Sequence, residues 1–334
     1  MNRRSLVLIT VLVAAACALP FVVTSYRTFQ ATLVLVYAIA LLGLNILTGY
    51  NGQMSLGHGA FYGMGAYCAA MLMDRTGVPY WATVPVAGAV CLIAGFLFGL
   101  PALRLEGLYL ALATFALAVS MPQILKSRVA ESWTGGVQGI TIIKPDPPAL
   151  LSGLKLNADQ WLYLFVLAIA VLMFVLGWNL LRGRVGRALV AIRDHQTAAE
   201  VMGIDTSLYK SLAFGVSAMY TGVAGALGAI AVQFVAPDSF NIFLSLSFLV
   251  GIVVGGLASL SGALYGAIFI QFVPNIAGEI SKAAPWAIFG AFLIGFVYLM
   301  PAGVAGALRL VMTRARRAQA SHVQPAPPAK EVLP

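Results

Sequence analysis

The residues best suited to chemistry fall in two apolar regions and one charged loop. Gln271, Asn275 and Glu279 recur every fourth position, so a helix would gather them into one polar stripe. Asn45, Gln53, Ser55 and His58 interrupt a run from 28 to 73 that holds no Asp, Glu, Lys or Arg. Each of these groups costs free energy in hydrocarbon unless a partner satisfies it. Amides, a hydroxyl and an imidazole at that depth can do two things: hold helices together by hydrogen bonds, or line a path for a polar solute. For His58, which has no second ligand nearby in sequence, a hydrogen-bonded strut is favoured over a metal ligand or proton relay. For the 271–279 stripe, an interhelical seam and a pathway lining with Glu279 near the outer mouth stand even.

No catalytic or metal-binding residue is assigned. A phosphate-binding loop needs Gly-x-x-x-x-Gly-Lys-Ser/Thr, so that backbone amides and the lysine hold the phosphates. The Lys-Ser pairs here, Lys126-Ser127 and Lys210-Ser211, are not preceded by glycine. A nucleophilic-serine elbow and a His-Glu-x-x-His helix are also absent from the sequence. The chain therefore reads as non-enzymatic, binding no cofactor itself, with any energy source in a partner. No charged residue falls at the expected mid-membrane positions, which disfavours an ion-coupled secondary transporter.

The elements that must position these residues are membrane helices. Of 334 residues 60% are hydrophobic and 9% charged, against about 25% charged in an average soluble domain. Cutting the chain at its charges leaves apolar runs at 5–26, 28–73, 81–103, 107–125, 160–181, 211–237, 239–278 and 283–308. A crossing takes about 20 residues, so 28–73 and 239–278 each hold two. The expectation is an all-α polytopic membrane protein of about ten spans (range eight to ten), a single transmembrane domain over 1–308. The basic N-terminus before an apolar run could pass for a secretory signal, but the run reaches Val23 and more spans follow, favouring an uncleaved first span.

With both termini in the cytoplasm, 13 of the 20 lysines and arginines fall inside and 7 outside, as the positive-inside rule requires. That bias and contact with membrane lipids account for most of the net charge of +9 without nucleic acid. Residues 127–159 form an external loop and 182–210 a cytoplasmic one. The segment 309–334 is basic, then Ala/Pro-rich, and is expected to be a disordered tail from Arg317 on. Cys17, Cys68 and Cys91 show no pairing or ligand spacing and read as buried free thiols.

Glycine-rich polar breaks occur in both double-length runs, at 49–59 and 255–262. Aligning Gly52 with Gly256 also aligns Ser55 with Ser259 and Leu56 with Leu260, the trace of a possible parallel repeat. Non-helical backbone at membrane depth belongs where protein buries it or water lines it. The pairs Gly59/Gly63, Gly251/Gly255 and Gly262/Gly266 are spaced for close helix packing.

In the cytoplasmic loop, residues 186–202 read as one helix burying Ala188, Leu189, Ile192, Ala199 and Met202. Gly203 is placed to end it in the left-handed region, and Asp205 or Thr206 to cap the next helix. The segment "TAAEVMG" resembles the Glu-Ala-Ala-x-x-x-Gly motif by which membrane subunits of ATP-binding-cassette importers dock on their ATPases. Ala198, Ala199 and Gly203 match; Thr197 replaces the Glu, and the distal Leu-Pro is missing.

Together "GLNILTGYNGQMSLGHGAFYGMGAY" (43–67), "WTGGVQGI" (133–140), "GRALVAIRDHQTAAEVMGIDTSLYKSLAFGVSA" (186–218) and "VVGGLASLSGALYGA" (253–267) resemble the LivM-type permeases of branched-chain amino-acid importers. The resemblance spans about 28–308. It implies a multi-pass protein of the bacterial inner membrane, paired with a second, different permease subunit. It further implies two ATPase subunits that bind ATP and Mg, and a periplasmic solute-binding protein. Leucine, isoleucine and valine are the implied solutes, with urea, short amides or aromatic acids as alternatives within the family. The implied ATPase-coupling residues are Arg187, Arg193, Ala198, Ala199, Glu200 and Gly203.

Overall fold

The computed structural model describes residues 3–103, 105, 107–147, 157–280 and 285–321. It is a helical bundle: α1 Arg3–Val22, α2 Ser25–Leu44, α3 His58–Thr76, α4 Tyr80–Ala102, α5 Leu108–Leu125, a short α6 Arg128–Thr134, α7 Ala158–Arg182, α8 Arg184–Asp194, α9 Gln196–Val201, α10 Thr206–Val232, α11 Ile242–Gly255, α12 Leu260–Ile280, α13 Pro285–Leu299 and α14 Gly303–Ser321. Seven stretches among the described residues are long and apolar enough to cross a membrane. The chain is thus an all-α polytopic protein, with one departure: a two-residue antiparallel pairing of β1 Ile140–Thr141 with β2 Phe234–Val235.

Composition explains which helices lie inside. α10 is rich in Gly, Ala and Ser, and α2, α3 and α4 pack around it. Lipid gives apolar helices no hydrophobic reason to associate, so close contact and hydrogen bonds must do it. At Gly65 of α3, an added Cβ would run into the carbonyl of Gly222 on α10. At Gly255 of α11, it would run into the carbonyl of Gly262 on α12. The glycines of the expected small-residue pairs therefore set helix–helix distances. By contrast, α7 and α4 present Leu172, Val175, Leu176, Ile93 and Leu97 outward, as a lipid-facing surface should.

The double-length runs split where the sequence suggested. α2 widens into a π-helical turn, Asn45–Tyr50, before the chain breaks at 51–57 and restarts as α3. α11 stops at Gly255 and α12 begins at Leu260. Gly52 and Gly256, paired by the repeat alignment, both have positive φ, 77° and 114°. The two breaks lie against each other, joined through Asn45, and the first also touches the charged α8–α9 loop at one end of α7. At the other end of α7, described residues in and beside the 127–159 region are tied to the bundle: Arg75 donates to the Ser132 carbonyl, and Lys126 pairs with Asp238 at 2.5 Å.

Three expectations change. The loop helix expected over 186–202 is two helices, because His195 is extended (φ −160°) and its ring accepts from Ala198 N–H as the cap of α9. With the helical phase reset there, Met202 is 81% exposed instead of buried. α14 continues four residues past Arg317, where the disordered tail was expected; residues 322–334 lie outside the described residues. Among the thiols, Cys91 is buried and Cys68 half-buried, but Cys17 is exposed on α1. α1 itself is tied to α7, whose Tyr163 hydroxyl and Gln160 amide donate to the Ala16 and Pro20 carbonyls.

Candidate functional site

The first break is held together by a chain of hydroxyl and imidazole contacts. His58 Nδ1 lies 3.0 Å from Ser55 Oγ and its Nε2 lies 2.5 Å from Ser217 Oγ on α10. Ser217 Oγ donates onward to the Gly43 carbonyl at 2.7 Å. A serine has one proton to give, so Ser217 must accept from His58 Nε2–H, and Ser55 must donate to Nδ1. Both ring nitrogens thereby have partners within the protein, which tie the start of α3 to α10. Around it, Leu56 N–H donates to Thr114 Oγ1 and Gly59 N–H to Ser245 Oγ, both at 2.9 Å. These bonds satisfy donors that a helix start would otherwise leave without partners.

Asn45 joins the two breaks. Its Oδ1 accepts from Ala258 N–H at 2.9 Å, and its Nδ2 donates to the Ser259 carbonyl at 2.8 Å. Ala258 holds a positive φ of 54°, a conformation that a residue with a Cβ keeps only where its surroundings impose it. The side chain is fully buried and its amide group is spent on backbone, so Asn45 is a brace. Gln53 is different. It is buried, its Oε1 finds no partner among the described residues, and the same holds for both amide atoms of Asn51.

Asn51 and Gln53 border a pocket of about 340 Å³ between the first break and the charged loop, which Arg193, His195, Gln196 and Lys210 also line. The loop is fastened on both sides. Arg193 Nη1 donates to the Gly49 carbonyl at 3.0 Å, while Nε and Nη2 hold Asp194 Oδ1 at 3.0 and 2.8 Å. Toward α10, Lys210 Nζ donates to Gln196 Oε1 at 2.6 Å and Thr206 Oγ1 to Glu200 Oε1 at 2.7 Å. The Thr206 hydroxyl, and then the Gln196 amide, hold the Glu200 carboxyl below the usual carboxylate range. Asp205 caps α10 by accepting from Leu208 N–H at 3.0 Å, and Gly203 turns the chain at φ 82°.

Of the loop residues, Arg187, Ala198 and Glu200 are exposed and Ala199 is buried. Val201 and Met202, which the helical pattern did not single out as surface, are 82% and 81% exposed beside Gly203. The stripe on α12 is not gathered into this site. Gln271 is half-buried, and Asn275 and Glu279 are exposed on the outer face of the chain, with Asn275 Nδ2 donating to the Gln271 carbonyl. Sequence reasoning also missed Ser217, Ser245 and Thr114, small hydroxyls indistinguishable by pattern from packing residues. Only Ser259 carried a signal, through its alignment with Ser55.

The family described as "Branched-chain amino acid transport system / permease component" matches residues 26–301, a span that contains both breaks and the whole loop. The chain belongs to this permease family. The permease is 35% identical over 288 residues to the high-affinity branched-chain amino acid transport system permease protein LivM of Escherichia coli strain K12, covering 80% of this chain and 67% of the relative. It is 34% identical over 291 residues to the LivM protein of Salmonella typhimurium, with the same coverage. A more distant relative is the autoinducer 2 import system permease protein LsrC of Escherichia coli strain SMS-3-5, 24% identical over 98% of the permease and 95% of the relative. No solved structure matches the permease at a significant level.

Proposed function

We infer that this chain is the membrane permease subunit of an ATP-binding-cassette importer for leucine, isoleucine and valine. The observation that carries the reading is the 35% identity to LivM across 80% of the chain, against 24% to one autoinducer permease over 98% of it and 30% to another over 56%. In this reading the chain crosses the bacterial inner membrane ten times with both termini in the cytoplasm, and the breaks and the α8–α9 loop face the cytoplasm. Thirteen cytoplasmic against seven external basic residues support that orientation.

The chain works with a second permease subunit, two ATPase subunits that bind ATP and Mg, and a binding protein that delivers solute at the outer face. The tip formed by Ala198, Val201, Met202 and Gly203 supports docking to an ATPase: it exposes two large apolar side chains on a loop braced to the bundle at both ends. The α12 stripe supports a pathway shared with the second subunit, since Asn275 and Glu279 on the outer face of a membrane helix need a polar or protein neighbour.

The test is reconstitution of the whole importer in proteoliposomes with ATP inside. Uptake of leucine, isoleucine or valine that requires both ATP and the binding protein is the expected result. Uptake that survives without ATP and collapses with an ionophore would instead identify an ion-coupled carrier.

A further inference from the structure

Between the exposed tip of the α8–α9 loop and the two helix breaks, the structure supplies a continuous set of contacts that begins at one side chain. The π-helical turn Asn45–Tyr50 ends in a carbonyl, that of Gly49, which takes Arg193 Nη1 at 3.0 Å. Carbonyls at a helix end lack partners within the helix and carry its negative pole, so a guanidinium is well matched to that position. Asp194 fixes the rest of the guanidinium from the other edge, leaving Nη1 aimed at Gly49. The stem of Arg193 lies along Gly52: a Cβ added there would come within 2.8 Å of Arg193 Cγ. One residue thus touches both the last turn before the break and the left-handed glycine inside it.

The other side of the same π turn rests on the second break. A Cβ added at Gly49 would come within 2.5 Å of Ala258 N, and Asn45 binds both Ala258 N–H and the Ser259 carbonyl. From α14, Arg309 Nη2 reaches Ser259 Oγ at 3.3 Å. Each break therefore receives an arginine from a cytoplasm-side element, and the π turn joins them. π turns inside α-helices recur at functional sites because the extra residue makes the turn a local alternative to regular helix.

We propose that Arg193 is the positioning residue that carries movement of the α8–α9 loop into both helix breaks, by way of Gly49, Asn45 and the Ala258–Ser259 turn. Its contacts with the bundle are to Gly49 and Gly52 and do not involve the exposed tip residues Val201 and Met202, so its role is separable from docking. The proposal rests on the importer reading above. Arg193 then sets how much solute moves for each ATP hydrolysed by the partner subunits, while the hydrolysis itself needs only the docked tip.

The experiment uses the complete importer in proteoliposomes, with uptake and ATP hydrolysis measured on the same vesicles for the native chain, Arg193→Met and Arg193→Lys. Arg193→Met is expected to keep its ATPases in a pull-down and to hydrolyse ATP within about two-fold of the native complex. Its uptake per ATP should fall by about ten-fold, a typical size for coupling between sites. Arg193→Lys keeps a donor but not the Asp194 fork, and should fall between the two.

A reporter, Leu257→Cys, sits in the second break where Leu257 is half exposed. Its labelling by a water-soluble thiol reagent should change with nucleotide in the native background and stop changing with Arg193→Met. Unchanged uptake per ATP, or loss of the ATPases from the pull-down, would overturn the proposal. If Arg193→Met fails to accumulate in the membrane, Arg193→Lys decides alone: hydrolysis and uptake falling in equal proportion refute the link. A native complex without ATP-dependent uptake would count against the importer reading instead.

Discussion

Replacing Asn45 by alanine removes both ends of an amide that joins the two helix breaks. The structure shows what is left behind: the N–H of half-buried Ala258 and the carbonyl of buried Ser259, previously at 2.9 and 2.8 Å from the amide. An orphaned buried polar group costs about 1–3 kcal/mol. Side-chain hydrogen bonds in membrane bundles average about 0.6 kcal/mol by double-mutant cycles, because the unfolded chain in a membrane also finds partners. Two groups therefore bracket the loss at about 1–6 kcal/mol. The positive φ of Ala258 argues against the low end, since the amide holds the N–H of that residue. We expect a destabilisation of at least about 2 kcal/mol, a factor of about 30 in the folded/unfolded ratio. Denaturing-detergent titration of the purified permease in mixed micelles, read by tryptophan fluorescence, measures it. Asn45→Asp is the second variant: it keeps the acceptor for Ala258 N–H but faces the Ser259 carbonyl with a carboxylate oxygen, so it should lose stability as well. Alanine and native proteins within about 0.5 kcal/mol of one another, the scale of ordinary surface substitutions, would refute the view that this amide braces the breaks.

Other expected outcomes follow from the same contacts. Gly65→Val should abolish accumulation of folded permease, because the new side chain meets the Gly222 backbone, whereas Gly278→Ala, with nothing within 4 Å, should leave thermal stability unchanged or slightly raised; equal melting of the two variants would contradict the packing account. Ser217→Ala leaves the His58 Nε2–H and the Gly43 carbonyl without their shared hydroxyl and should lower stability by about 1–3 kcal/mol in the same titration. Cysteines placed at Gln271 and Asn275 should react with water-soluble thiol reagents in the assembled importer if α12 faces the pathway, and inertness in every nucleotide state would move the stripe to a sealed subunit seam. Glu200 is held ionised below its ordinary pKa of 4.5 by Thr206 and Gln196, so its tie between α9 and α10 is complete at neutral pH and is lost as pH falls through that lowered value; amide exchange in α9 should accelerate in acid for the native chain and change less for Glu200→Gln.

What the sequence determined by itself was the class of molecule and its punctuation. Apolar runs of about 20 residues can serve as membrane spans whatever they pack against, so the bundle and the division of the two double-length runs were legible. Gly203 as a left-handed stop was legible too, and the cap of α10 was narrowed to Asp205 or Thr206, because both depend on neighbours within four residues; the structure selects Asp205. The tertiary structure decided which polar residues act on one another. Asn45 meets Ala258 and Ser259 from 213 and 214 positions away, and His58 meets Ser217 from 159; no periodicity encodes such pairings. It also reset the loop: extended backbone at His195 changes the helical phase, so Ala199 is buried as its spacing suggested but Met202 is exposed. Arg193 shows the limit most clearly. In sequence it is a loop charge that only the family resemblance marks for coupling, and only folding brings its guanidinium to the carbonyl of Gly49 at 3.0 Å, turning a loop charge into a contact with the break.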